Sequence, residues 1–160
     1  MSSEKADVNL TVNGESHSVS VEPRELLSQT LRERLDYTSI NIGCESTLCG
    51  ACTIQVNGKA VKSCTRLTVQ EDGSEIQTVQ TLSDDGVLGD LQTAFADEHA
   101  LQCGYCTPGI LMVVDEYLDN NPDPSRDEIR TEALQGNLCR CTGYENIVDA
   151  IDIASDTLEE

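Results

Sequence analysis

Positive charge is scarce in this 160-residue chain. Ten lysines and arginines stand against 29 aspartates and glutamates, for a formal charge of −19, and only three of the ten are lysines. A chain of that sign repels phosphate backbones and anionic lipid, which excludes nucleic acid and an acidic membrane surface as expected partners. The deficit is uneven. Residues 1–80 carry 11 acids and 7 bases, net −4, whereas residues 81–160 carry 18 acids and 3 bases, net −15. Such a surface is either an ordinary solvated acidic face or an adaptation to molar salt, where a Debye length of about 3 Å suppresses self-repulsion. Long apolar runs are missing as well. The longest aliphatic stretch is ILMVV at 110–114, far short of the ~20 residues that cross a bilayer. The opening MSSEKADVNL holds no apolar secretory segment and no twin arginine, so a cytoplasmic location is expected. Histidine is limited to His17 and His99. No Ser/His/Asp or Cys/His arrangement stands out, and no catalytic acid, base or nucleophile is expected.

What the chain does have is eight cysteines, in two groups of four: C-x4-C-x2-C-x11-C from Cys44 through Cys49 and Cys52 to Cys64, and C-x2-C-x32-C-x-C from Cys103 through Cys106 and Cys139 to Cys141. Eight thiols allow about 105 disulfide pairings. In a reducing compartment, grouped cysteines more often hold metal.

Periodicity explains why the last cysteine of each group comes late. In the first half, VNLTV alternates Val8, Leu10 and Val12. Asn13-Gly14 then supplies a type I′ turn, and HSVSV answers with Val19 and Val21. Pro23 suits the first turn of a helix striped by Leu27, Leu31 and Leu35. TIQV at 53–56, a second Asn-Gly at 57–58, KAV and EIQTV at 75–79 complete a small mixed sheet. The predicted arrangement is a β-grasp unit over residues 1–80. Its second hairpin brings Cys52 opposite Ser63, so Cys64 returns beside Cys52. TLSDDG at 81–86 reads as a linker, and the period then changes to 3.6. Leu88, Leu91 and Phe95 mark one helix. Thr107-Pro108 caps a second, whose inner face carries Ile110, Leu111, Val114, Tyr117 and Leu118. A capping box at Ser125–Glu128 opens a third that Gly136 closes. Ile147, Val148, Ile151 and Ala154 line a fourth. Residues 81–160 are therefore expected to form a four-helix bundle, making the fold class α+β. Two antiparallel helices of similar length would carry the chain from Cys106 back to Cys139.

The first group has the spacing of a plant-type [2Fe-2S] site. Such a rhomb needs two thiolates on each iron. A loop can supply three of them and a neighbouring strand the fourth, with Gly43 and Gly50 letting backbone N–H groups approach the sulfides. The competing assignment is structural zinc. Zinc favours paired C-x2–4-C knuckles, which three consecutive ligands and a cramped C-x-C do not resemble. A Rieske centre would need two histidines among the ligands, and neither His17 nor His99 is so placed.

Taken together, GCESTLCGACT, ALQCGYCTPG and GNLCRCTGYENIV make the chain recognisable. From about Val8 to Ile153 it resembles the small iron–sulfur subunit of the molybdenum hydroxylases, the xanthine dehydrogenase and aldehyde oxidoreductase family. It looks closest to the small subunit of the aerobic-type carbon monoxide dehydrogenases. The resemblance implies that Cys44, Cys49, Cys52 and Cys64 hold the [2Fe-2S] cluster distal to molybdenum, and that Cys103, Cys106, Cys139 and Cys141 hold the proximal one. It further implies that Gln102 and Cys141 touch the pterin of the molybdenum cofactor. That cofactor would reside on a large partner subunit and FAD on a medium one, with electrons running from molybdenum through both clusters to the flavin. One departure is the filler ESTL between the first two cysteines, where Leu48 beside Cys49 is less expected and bears on the distal potential.

Two features leave alternatives open. Residues 100–114 carry no charge, which fits either packing around a helix core or a docking face. Arg140, between two ligand cysteines, either offsets cluster charge or faces solvent. Two rival functions make different predictions. A free-standing two-cluster carrier would be a stable monomer with no copurifying subunit, and a zinc-stabilised interaction module would be colourless and redox-inert.

Overall fold

The computed structural model describes residues 4–84 and 86–158. The two Asn-Gly pairs do what their chemistry favours. Asn13 and Gly14 take φ of 51° and 82°, Asn57 and Gly58 take 51° and 73°, and each pair closes a two-residue hairpin. The first joins β1 (Ala6–Val12) to β2 (Glu15–Val21), and the second joins β3 (Thr53–Val56) to β4 (Lys59–Lys62). β5 (Glu75–Gln77) enters between them, parallel to β1 and antiparallel to β3, so the sheet order is β2-β1-β5-β3-β4. This is the expected β-grasp topology. Val8, Leu10, Val12, Val21, Leu27, Leu31, Ile54 and Ile76 form its core, and Cys52 and Cys64 belong to that core as well.

The helix over this sheet starts later and is shorter than the leucine stripe suggests. Leu26 is extended and bridged to Leu67, with Leu27 N–H donating to Arg66 O and Thr68 N–H to Glu25 O. Pro23 therefore lies ahead of that bridge and not in a first helical turn. The helix begins as α1 (Leu27–Gln29) and widens into a π-turn over Thr30–Arg34. Leu27 and Leu31 are fully buried, but Leu35 is only partly so, at the point where the helix ends.

The expected linker contains structure. Val79–Leu82 forms a 3-10 turn, followed by a minimal hairpin of β6 (Ser83–Asp84) and β7 (Val87–Leu88); Asp85 lies outside the described residues. Leu88, assigned by periodicity to a helix, is instead half-exposed on β7. The helix α2 (Asp90–Asp97) begins only after Gly89, and it buries Leu91, Ala94 and Phe95. Next comes α3 (Thr107–Asn120), with Pro108 in its first turn. The capping box at Ser125 and Glu128 is present, opening α4 (Arg126–Glu128), which passes into a π-turn over Ile129–Ala133. This return segment is much shorter than α3, contrary to the matched pair expected. Gly136, with φ of 77°, turns the chain after it. α5 (Glu145–Leu158) completes a second core of Phe95, Ile110, Leu111, Val114, Ile129, Ile147, Val148 and Ile151.

The two units meet along β3. All four of its residues are buried, because one face lies on the sheet core and the other against α3. The polar ones are satisfied there: Gln55 Nε2 donates to Met112 O at 3.2 Å and to Asp115 Oδ2 at 2.7 Å, and Thr53 Oγ1 donates to Gly50 O at 2.7 Å. Burial raises the Asp115 carboxyl above its ordinary range, with the Gln55 bond opposing it. Glycine permits the closest approach. A Cβ on Gly109 would collide with Gly50 O, and one on Gly50 with Asn137 Oδ1.

Candidate iron–sulfur centres

The first cysteine group sits on a loop whose backbone turns repeatedly into the left-handed region, at Glu45 (φ 54°), Thr47 (63°) and Gly50 (73°). That winding aims N–H groups inward. Ser46 N–H and Cys49 N–H both donate to Cys44 Sγ, each at 3.4 Å. With the Ser46 side chain as the largest contributor, these bonds hold the Cys44 thiol down to about 6. Gly43 leaves room for sulfur, since a Cβ there would press on Cys49 Sγ at 3.0 Å. Cys52 ends the loop at the foot of β3. As the hairpin register requires, Ser63 bonds back to it through both N–H (3.3 Å) and Oγ (2.8 Å) to Cys52 O. Cys64 then lies in hydrogen-bond contact with Cys52, whose thiol is pushed up to about 11, mainly by burial.

The second group gathers at one end of the helical unit. Cys103 and Cys106 precede α3; Cys139 and Cys141 follow Gly136. The sulfurs of Cys103 and Cys141 are 3.6 Å apart and both residues are exposed. Cys106 and Cys139 contact one another, and burial pushes the Cys106 thiol up to about 12. Burial raises Cys139 too, but the Thr142 hydroxyl and backbone donors outweigh it, leaving this thiol below its ordinary value.

The sulfurs thus fall into four pairs: Cys44 with Cys49, Cys52 with Cys64, Cys103 with Cys141, and Cys106 with Cys139. Among the described residues, no group of three or more donors converges as around a single ion. Pairing in twos is what a two-iron rhomb asks of its ligands, and the all-thiolate donor set suits iron–sulfur chemistry. On these grounds the residues fit two [2Fe-2S] clusters.

The two groups face each other. An apolar cavity of about 160 Å³ is lined by Gly43, Cys49 and Ala51 from one side and by Cys103, Cys106 and Cys141 from the other. Leu138 N–H donates to Cys49 O at 2.8 Å, which ties the residue before Cys139 to a cysteine of the first group. Tyr105 spans the seam, its hydroxyl donating to Ile42 O at 2.9 Å.

The remaining expectations are placed as follows. Gln102 is exposed next to Cys103. Arg140 is exposed and lines the cavity. The uncharged stretch divides in two: Ile110, Leu111, Met112 and Val114 are core, whereas Leu101 and Tyr105 are 41% and 50% exposed. Leu48 is 68% exposed, so the unexpected filler residue does not pack on the first site's core. His17 packs edge-on against Tyr37 and meets its hydroxyl at 2.9 Å.

Sequence reasoning missed Tyr144, whose hydroxyl accepts from Cys139 N–H at 2.8 Å, and Thr142, whose hydroxyl donates to Cys139 Sγ at 3.1 Å. Both stand in the stretch CRCTGY, and two hydroxyl residues so close behind a candidate ligand were the available signal. Asn137 was missed as well. It is buried and donates to Gly109 O at 3.2 Å within the helical unit, and its side chain lies against Gly50 of the other unit.

Comparison with known proteins agrees with this geometry. Residues 8–102 match the family described as "2Fe-2S iron-sulfur cluster binding domain", and residues 78–152 match "[2Fe-2S] binding domain". The nicotine 6-hydroxylase small subunit of Paenarthrobacter nicotinovorans is 50% identical, covering 93% of this chain and 89% of that one. The caffeine dehydrogenase subunit gamma of Pseudomonas sp. (strain CBB1) is 49% identical, covering 95% and 92%. Among solved structures, quinoline 2-oxidoreductase from Pseudomonas putida 86 superposes with a TM-score of 0.93 at 45% identity, over 98% of both chains.

Proposed function

We infer the role of this chain from its kin: it belongs to the family of [2Fe-2S] small subunits of the molybdenum hydroxylases, and it is the electron-transfer subunit of such a complex, not its catalyst. A large molybdopterin-binding subunit is its partner. The free-standing carrier is not favoured, because the relatives are themselves subunits.

Beyond that, we propose the residue roles and the remaining partners. Cys44, Cys49, Cys52 and Cys64 hold one cluster in the unit over residues 1–80; Cys103, Cys106, Cys139 and Cys141 hold the other in the unit over 81–160. When bound, each cluster takes up and returns one electron at a time. The chain's own residues fix the two sulfur sets on either side of one apolar cavity. The carrying observation is that shared cavity, beside which Leu138 N–H bonds to Cys49 O. Gln102 and Cys141, exposed on the outer side of the second set, are proposed to meet the pterin of the partner's molybdenum cofactor. A medium FAD-binding subunit is the proposed acceptor. Relatives named for nicotine, caffeine and quinoline support an N-heteroaromatic substrate for the complex. The acidic surface supports a host of high salinity. No helix among the described residues is long and apolar enough to cross a membrane.

The test is iron and sulfide analysis with EPR of the dithionite-reduced chain, purified anaerobically with whatever subunits accompany it. About four irons and two distinct S = 1/2 signals are expected, two irons for each cluster. Zinc, or iron for a single cluster, overturns the assignment.

A further inference from the structure

We propose that Thr142 is the residue that sets the reduction potential of the C-terminal cluster, and that Tyr144 is the positioning residue that holds it to that task. The proposal rests on the assignment of Cys139 as a cluster ligand.

The geometry is a closed circuit over six residues. Thr142 Oγ1 donates to Cys139 Sγ at 3.1 Å. The same oxygen accepts the N–H of Tyr144 at 3.2 Å, so its lone pair is engaged and its proton is directed at sulfur. Tyr144 closes the circuit from the other end. Its hydroxyl accepts from Cys139 N–H at 2.8 Å and donates to Asn137 O at 3.2 Å. Its own backbone is left-handed, φ 72°, a conformation a bulky residue keeps only when its surroundings impose it. Thr142 and Tyr144 are both half-buried, which limits competition from water.

A hydrogen bond donated to a ligand sulfur stabilises negative charge, and the reduced cluster carries more of it than the oxidised one. The Thr142 hydroxyl therefore favours the reduced state and raises the potential. The N-terminal site has a counterpart, since Cys44 Sγ takes the Ser46 side chain together with the backbone N–H groups of Ser46 and Cys49. The two hydroxyls sit on different sulfur sets, so removing the Thr142 one should move the C-terminal midpoint alone.

The experiment is an EPR-monitored redox titration of the purified complex, with the N-terminal signal identified by Cys44→Ser. In Thr142→Val the C-terminal midpoint is expected to fall, so that the reduced-to-oxidised ratio at a fixed potential drops about tenfold, or about 59 mV for a one-electron couple. The N-terminal midpoint should stay in place, and Thr142→Ser should restore the parent value. Tyr144→Phe should change the g-values of the C-terminal signal alone. If Thr142→Val fails to assemble, Thr142→Ala removes the hydroxyl without introducing a new methyl and should give the same fall. An unmoved C-terminal midpoint, an equal shift of both midpoints, or failure of serine to restore overturns the proposal. Absence of both signals in the parent complex would instead overturn the cluster assignment on which it stands.

Discussion

The two cysteine sets are built to opposite plans. In the sheet unit, Cys52 and Cys64 are each 2% exposed and count among the core residues, with only the Cys44–Cys49 pair nearer the surface. In the helical unit, Cys103 and Cys141 are exposed together and the Cys106–Cys139 pair lies deeper. Each set keeps one hydroxyl side chain and backbone N–H groups on a sulfur, Ser46 at Cys44 and Thr142 at Cys139. The difference lies in burial: the sheet builds one sulfur pair into its own core, whereas the turns before α3 and after Gly136 leave one pair facing outward.

The largest effect should come from erasing the boundary that makes the comparison possible. Gly50→Ala would force a side chain into Asn137 from a left-handed backbone position. The expected cost is about 3 kcal/mol or more. Both EPR signals should be disturbed, since Gly50 adjoins Cys49 on one side and Asn137 lies two residues from Cys139 on the other. Thermal unfolding and EPR read this together; an unchanged melting temperature with two normal signals would show that the contact is dispensable.

A smaller effect separates buried from exposed cysteines. Cys64→Ser and Cys141→Ser should each abolish one EPR signal and about half the iron, leaving the other cluster intact. Cys64→Ser should also destabilise the chain by about 1–3 kcal/mol, because it places a hydroxyl in the sheet core. Cys141→Ser, on the surface, should stay within about 0.5 kcal/mol. Equal stability losses would break the distinction between the plans.

The smallest effect concerns charge. Reduction adds an electron to a chain already at −19, so screening should raise both midpoints as the Debye length falls from about 10 Å at 0.1 M to about 3 Å at 1 M. The C-terminal midpoint should rise further, since its half of the chain carries −15 against −4. Titrations in low and molar salt that returned identical midpoints would remove the acidic surface from the electrochemistry.

How far the sequence foretold this depends on the range of the interaction concerned. The Asn-Gly turns, the register that returns Cys64 to Cys52 and the capping box at Ser125 are local, and each was legible. Leu88 was not. Its helical spacing is real, but Gly89 breaks the helix before it, and the half-exposed leucine sits on a hairpin. Pro23 misled in a similar way, because the Leu26–Leu67 bridge claims the backbone where a first turn was expected. β3 reads as an alternating strand, yet it is buried on both faces because α3 covers the second one. No pattern within β3 itself announces a partner from another unit. The Thr142–Tyr144 circuit depends on a backbone turn, with its hydroxyls converging on Cys139 only once Tyr144 adopts a left-handed φ.

Where Gly109 meets Gly50, no side chain separates the two backbones, and nothing at that point can swell, tilt or repack. The separation of the two redox sites is consequently a gauge machined into the main chain. It would stay the same whichever partner docks outside, and the surroundings can adjust how readily each site takes an electron but not how far that electron has to go.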